Sequence, residues 1–343
     1  MPPAKETLLD TLLPAGHAAL KQASAVLNDG GLVGIPTETV YGLAADATNG
    51  AAVASIYAAK GRPQFNPLIS HVDGIEMASR FGILDARAEE MVRLFWPGSL
   101  TMVVPRQFDS KVNELVTAGL DTIAIRCPDN HFTRSLIEII NRPVAAPSAN
   151  PSGRLSPTSA VAVREAFTSD VLPLVVDDGH CPMGLESTIV ACLPDKPLTI
   201  LRPGAVTLDD LQAVFGKDEV QVHEADFKDQ AKPAAPGMLL SHYAPKAKLT
   251  LYQAGRDAPG AGDAVLTFGG GSLSAGGQNS PLGTLDLSPE GDLNEAASNL
   301  FSMLRELDAL SPETIYVIPP PCTGLGVAIY DRLQRAAAPR INT

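Results

Sequence analysis

From about Gly16 to Pro203 the chain alternates short apolar runs with longer segments of helical spacing: GGLVGI, AAVASIYAAK, LTMVV, TIAIRC, HFTRSLIEII, PVAAP, AVREAF, LPLVVDD, STIVAC and LTILRP. Short apolar runs bounded by polar residues read as buried strands and the segments between them as helices, which predicts an α/β fold. Several runs stop abruptly at polar residues, as in Ile35-Pro36-Thr37 and Ala146-Pro147-Ser148, and such sheets present their chemistry at strand exits. Between about Thr207 and Lys248 the periodicity fades into DEVQVHEADFKDQAKPAAPG, too long and too polar for a tight turn. It returns in LTLYQAG, AVLTFGGG, a helical segment from about Leu293 to Leu310, and TIYVIPP. The expected organisation is a larger domain over 1–206, a linker over 207–248 and a smaller α/β domain over 249–343. The Gly/Ser-rich stretch at 269–280 lacks a full G-x-G-x-x-G spacing and is expected to be a surface loop.

A length of 343 residues agrees with two domains. No run is long and apolar enough to span a bilayer, and the first residues carry Glu6 and Asp10 without a basic leader, so a cytoplasmic location and no membrane association are expected. Cys127, Cys181, Cys192 and Cys322 form no C-x-x-C pair, which disfavours a disulfide framework or a zinc site; they are expected to be small buried residues. The net charge of −12 divides as 16 basic against 21 acidic residues in 1–206 and 10 against 17 in 207–343. Neither part is a basic nucleic-acid footprint, so RNA could be held only in a local cleft, and a small anionic substrate is the easier match.

The densest polar cluster, KGRPQFNPLISH at 60–71, puts two cations, an amide and an imidazole within twelve residues. Lys offers a compact charge and Arg a planar fork for phosphate oxygens, while the prolines stop the preceding helix. Read alone, the cluster fits equally well as a solvated helix C-terminus complementing its dipole. Thr37, Glu38, Thr39 and Gly42 follow the GGLVGI strand and suit either a small polar ligand or a self-satisfied turn. Period-two alternation places Thr122, Ala124 and Arg126 on one strand face, where Arg126 needs an anion: a ligand carboxylate, or Asp121 or Asp129. Ser148-Ala149-Asn150, Glu186-Ser187-Thr188 and Leu201-Arg202-Pro203-Gly204 each sit at the edge of an apolar run. There is no P-loop, no G-x-S-x-G elbow and no H-x-x-x-H spacing.

Together these segments resemble the YrdC-type threonylcarbamoyl-AMP synthases in their long form. The resemblance runs through PTETVYGLA at 36–44, KGRPQFNPLISH at 60–71, WPGSLTMVV at 96–104, TAGLDTIAIRCP at 117–128, AAPSAN at 145–150, ESTIV at 186–190, LRPGAV at 201–206, APGMLLSHYAP at 235–245 and GLGVAIYDRLQRAA at 324–337. Lys60 and Arg62, paired with Ser148 and Asn150, form the family's mark. One departure lies at Leu239, Leu240 and Ser241, where many relatives carry a basic residue and an aromatic.

The resemblance implies a twisted α/β sheet with a concave cleft, followed by a smaller Rossmann-like domain. It implies ATP, L-threonine and bicarbonate as substrates, with magnesium held mainly through the ATP phosphates and no metal ligands from the protein. Lys60, Arg62, Asn66, Thr122, Ser148, Asn150, Ser156 and Arg202 match nucleotide-side positions, and Tyr243 one that folds over the nucleotide. Lys60 and Arg62 would neutralise charge during catalysis. Thr39, His71, Arg126, Ala146 and Ser187 match positions that hold threonine. A downstream tRNA threonylcarbamoyl transferase complex is the implied partner, with at most a weak or transient RNA contact. Two other readings remain: an RNA-binding module using the same cleft, and a carbamoyl-transfer enzyme, whose usual acylphosphatase and zinc-finger modules are not visible here.

Overall fold

The computed structural model describes residues 12–223, 235–236, 242–254, 259–271 and 280–339. The first part of the chain forms β1 (Leu12–Pro14), α1 (His17–Asn28), β2 (Val33–Ile35), β3 (Gly42–Asp46), α2 (Gly50–Lys60), β4 (Ile69–His71), α3 (Ile75–Ser79), α4 (Ala86–Phe95), β5 (Leu100–Pro105), α5 (Glu114–Thr117), β6 (Thr122–Arg126), α6 (His131–Ile140), β7 (Val144–Ala145), α7 (Ala160–Ala166), β8 (Leu174–Asp177), β9 (Thr188–Ala191), β10 (Leu198–Arg202), α8 (Leu208–Phe215) and β11 (Val220–Val222). Its strands make one mixed sheet in the order β1-β8-β2-β3-β7-β4-β6-β5-β9-β10-β11.

Successive strand residues face opposite sides. Ile123 and Ile125 of β6 and Met102 and Val104 of β5 join a large core with the buried faces of α1, α2 and α6. Their neighbours Ala124 and Val103, with Ile69, Ile189 and Ala191, form a small separate cluster on the opposite face, joined by Ala235. That second face is the floor of the cleft described below.

Three segments differ from the sequence reading. GLA at 42–44 belongs to β3, held antiparallel between β2 and β7, and Ile69–His71 is a strand rather than the end of a loop. Within the segment read as linker, α8 starts at a Thr207–Asp210 capping box and β11 pairs in parallel with β10, so the chain to Val222 extends the first sheet. Residues 239–241 lie outside the described residues, as does most of the Gly/Ser-rich stretch.

The last part of the chain forms β12 (Lys248–Leu251), β13 (Ala264–Thr267), β14 (Gly283–Asp286), α9 (Leu293–Ala309), β15 (Thr314–Val317) and α10 (Gly326–Ala337). Its four strands are all parallel in the order β12-β15-β13-β14, the Rossmann-like arrangement expected. Leu300, Phe301 and Leu304 of α9 and Ile329 and Leu333 of α10 share a core with Leu266, Ile315 and Val317. Leu185 of the first domain belongs to that same core. Beside it Gly184, at φ +70°, approaches so closely that a Cβ there would stand 2.5 Å from the Ala297 carbonyl oxygen and the Ser298 Cα. Three cysteines are buried as expected, but Cys322 is exposed. No helix among the described residues is long and apolar enough to cross a membrane.

Candidate active site

Pairing across the sheet assembles the site. The parallel β4–β6 pair sets His71 beside Arg126, and antiparallel β7 places Val144 against His71, leading into Ala146-Pro147-Ser148. Parallel β5 and β9 bring Thr188, preceded by Ser187, next to Leu100. A register shift between Ile200 and Arg202 closes β10 and re-aims the arginine. The resulting cleft is lined among others by Thr39, Arg62, His71, Arg126, Ser148 and Arg202, together with Pro236, His242 and Tyr243.

The 60–71 segment and the 148–150 turn meet in this cleft. Helix α2 is capped at one end by Asn49 and stops at Gly61, whose left-handed φ of 58° turns the chain so that Arg62 points inward. Lys60 and Arg62 are buried, which excludes the solvated helix end. The Lys60 Nζ donates to the Ser148 and Asn150 carbonyl oxygens at 2.6 and 2.5 Å. It thereby ties the two walls together, and it is not itself among the groups lining the cavity. Burial pushes its ammonium well below the usual lysine range, helped by Arg62 and opposed by Glu186. Arg62 donates to the Asn66 and Pro67 carbonyls at 3.2 and 2.8 Å, and burial brings its guanidinium down to about 10. Arg202 donates to the Ser187 carbonyl and hydroxyl, and its pKa is likewise lowered by burial.

Two carboxylates serve the cleft, Glu186 in its lining and Glu38 behind Arg126. Glu38 receives Arg126 Nη2 at 2.5 Å, the Ser99 hydroxyl at 3.0 Å and the Asp129 amide at 3.0 Å. The anion that Arg126 needs is thus Glu38, not the side chain of Asp121 or Asp129. Glu186 accepts from the Ser156 hydroxyl at 2.5 Å and from Arg332 of α10 at 2.8 Å. Both carboxylates therefore hold an arginine already. Among the described residues none of Lys60, Arg62 and Arg202 lies within ion-pair distance of a carboxylate, although all three are buried.

His71 is almost fully buried, its Nδ1 has no hydrogen-bond partner among the described residues, and burial next to Arg126 pushes its pKa down to about 3. The ring is consequently neutral at physiological pH, so a ring nitrogen without a proton can accept a hydrogen bond. Thr39 shares a 2.8 Å hydrogen bond with Thr37, whose hydroxyl also donates to the Val40 carbonyl. Gly42 is needed for close approach: a Cβ would stand 3.1 Å from that of Ala146.

A family model described as "Telomere recombination" matches residues 25–204, and one described as "Threonylcarbamoyl-AMP synthase, C-terminal domain" matches residues 206–338. The threonylcarbamoyl-AMP synthase of Bacillus subtilis is 37% identical over 96% of this chain and 96% of its own. The chain belongs to the threonylcarbamoyl-AMP synthase family. The Pyrococcus abyssi enzyme of the same name is also 37% identical, over 94% of this chain and 95% of its own. A crystal structure of P. abyssi Sua5 complexed with L-threonine superposes with a TM-score of 0.81 at 33% identity, covering 95% of this chain and 97% of the other.

Of the positions that the family resemblance singled out, Thr39, Arg62, His71, Arg126, Ala146, Ser148, Arg202 and Tyr243 line the cleft. Lys60, Asn66, Asn150, Ser156 and Ser187 stand directly behind it: Asn66 and Asn150 through carbonyls that receive Arg62 and Lys60, Ser156 through Glu186, and Ser187 through Arg202. The side-chain amide of Asn66 and the Asn150 Oδ1 are buried without partners among the described residues. Thr122 stands apart, on the same strand face as Arg126 but roughly 13 Å further along it, outside the cavity lining. Several participants were not assigned a role from the sequence. Glu38 and Glu186 were noticed only as members of polar clusters, and Ser99, Thr101, which bonds the Ser187 hydroxyl at 2.7 Å, and Arg332 were not singled out. Their signal was weak because each acts through a partner distant in sequence.

Proposed function

We propose that this chain is a threonylcarbamoyl-AMP synthase, a nucleotidyltransferase that converts L-threonine, bicarbonate and ATP to threonylcarbamoyl-AMP and pyrophosphate for tRNA modification. The observation that carries this reading is the set of three buried cations, Lys60, Arg62 and Arg202, which among the described residues have no carboxylate within ion-pair distance, in a chain whose net charge is −12. Buried charges without counter-ions are costly, so such a cluster is built for an anion that arrives with the substrate. A triphosphate supplies it.

In the reaction the threonine amine joins the bicarbonate-derived carbon to give a carbamate with loss of water. A carbamate oxygen then attacks the α-phosphorus of ATP and pyrophosphate departs. The reactants supply the nucleophile, so the protein aligns them and neutralises charge on the phosphates. Arg62 and Arg202 face the phosphates, while Lys60 acts from behind by holding the Ser148–Asn150 turn against which the nucleotide lies. Arg126, oriented by Glu38, receives the threonine carboxylate. The neutral His71 ring accepts a hydrogen bond from the amine or hydroxyl, with Thr39 beside it. A site that bonds the hydroxyl rejects valine more strongly than serine.

Glu38 and Glu186 already hold arginines, and among the described residues no group of three His, Cys, Asp or Glu side chains converges. That donor set fits magnesium only as a cation carried on the ATP phosphates, where it would lower their negative charge. A cytoplasmic location and delivery of the product to a tRNA threonylcarbamoyl transferase belong to the same proposal, since an acyl-adenylate must be consumed where its tRNA acceptor lies. An RNA-binding module has less support, because among the described residues Tyr243 is the one Phe, Tyr or Trp lining the cleft and offers no run of stacking surfaces.

The test is threonine- and bicarbonate-dependent release of pyrophosphate from ATP without RNA, with the product weighed by mass spectrometry. Arg62→Ala is expected to abolish that release while the circular dichroism spectrum stays unchanged; near-normal turnover would refute the phosphate assignment.

A further inference from the structure

We infer that Arg332, on the last helix of the C-terminal domain, is a positioning residue for triphosphate binding, because it keeps Glu186 from neutralising the cations that receive the phosphates. The inference rests on the proposed use of the cleft for ATP.

Glu186 lines the cleft and is buried. Its carboxylate is the acidic group whose field reaches both Lys60 and Arg202. Left alone, it would settle on one of these cations, or face the incoming phosphates as a like charge. Arg332 prevents both. Its Nε donates to Glu186 Oε2 at 2.8 Å and its Nη2 to the Glu186 carbonyl at 3.4 Å. The Ser156 hydroxyl takes Oε1, so each carboxylate oxygen is engaged away from Lys60 and Arg202. Arg332 is itself fixed by Asp331 at 2.7 Å and lies with its Cζ 5.2 Å from the centroid of the ring of Tyr243, which lines the cleft. Only 1% of the Arg332 side chain is exposed. A solvated surface pair would be screened and worth little, whereas a pair this deep fixes where charge resides. The C-terminal domain thus supplies the cation that balances the acidic group of the phosphate-binding cleft.

The test uses the full-length chain and inorganic tripolyphosphate as probe, with affinity measured by calorimetry and folding by circular dichroism. Arg332→Met is expected to weaken tripolyphosphate binding about tenfold or more, with the KM for ATP rising in parallel and the KM for threonine little changed. In the Glu186→Gln background the same substitution should cost less than about threefold, since no carboxylate then remains to be masked. Arg332→Lys, which keeps the charge, should stay within about threefold of the parent. Tripolyphosphate affinity within about twofold of the parent in Arg332→Met, or an equal loss with and without Glu186, would overturn the inference. Should Arg332→Met fail to fold, the Glu186→Gln/Arg332→Met chain is expected to fold and bind tripolyphosphate; its failure to do so would assign Arg332 to packing alone. Coupled tripolyphosphate binding in a chain that releases no pyrophosphate from ATP and threonine would keep this inference and overturn the proposed function.

Discussion

Acidification should destabilise the chain through His71, and replacing that residue isolates its share. In the folded protein burial, with Arg126 close by, lowers its pKa from 6.5 to about 3. Between those values the unfolded chain binds a proton on this residue and the folded chain does not. Stability therefore rises with pH across that window, and it is lost as pH falls from about 6.5 toward 3. The whole gap corresponds to about 5 kcal/mol, of which about 2 kcal/mol is expended on going from pH 7 to pH 5. Other groups titrate over the same range, so the comparison is made against His71→Gln, which keeps a polar side chain but no titration. Urea unfolding at the two pH values should show the parent losing about 2 kcal/mol more than the variant. Equal losses, or a His71 NMR titration centred near 6.5, would refute the claim that the ring is kept neutral. The functional counterpart is that kcat/KM for threonine should carry no acidic limb from His71 above pH 5.

Glu38→Gln leaves Arg126 buried without its carboxylate; breaking such a pair should cost roughly 3–5 kcal/mol in thermal or urea unfolding, and raise the KM for threonine more than that for ATP. An unchanged threonine KM would separate Glu38 from substrate binding. Gly204→Ala would put a Cβ 2.4 Å from the Thr188 amide nitrogen and 2.7 Å from the Ser187 carbonyl carbon, both backbone atoms that cannot swing aside. Turnover is expected to fall about 100-fold, since small displacements of positioning groups have that effect; full activity would show that this strand entry can shift freely. Lys60→Met strands the Ser148 and Asn150 carbonyls in a buried site, at about 1–3 kcal/mol for each left unpaired, measurable by urea unfolding. Unaltered stability would mean that water or another donor replaces the ammonium.

Strands such as Leu100–Pro105 and Thr122–Arg126 were legible because each centres on a short run of buried apolar residues, Met102–Val104 and Ile123–Ile125. Gly42–Asp46 was not, because Gly and Ala carry no strand signature; its conformation comes from pairing with neighbours on both sides. Ile69–His71 was hidden by its brevity and by the polar loop before it. In the site, the convergence of 60–71 with 148–150 was readable from the family resemblance, whereas residue types alone left 60–71 open between an anion clamp and a solvated helix end. How each charge is used was not. Nothing local indicates that Lys60 grips main-chain carbonyls some 90 residues away, or that Glu186 meets an arginine 146 positions on. Sequence spacing conveys which groups are available, while tertiary pairing decides which of them remain for a substrate.

The Gly184 contact has a mechanical consequence. Because the loop bearing Leu185 and Glu186 is wedged against the backbone of α9 with no side chain between them, it has no slack to absorb sliding at the domain boundary. Any displacement of α9 relative to the first domain must carry this loop along or break the contact, so Glu186 at the cleft wall is tied to the position of the C-terminal domain.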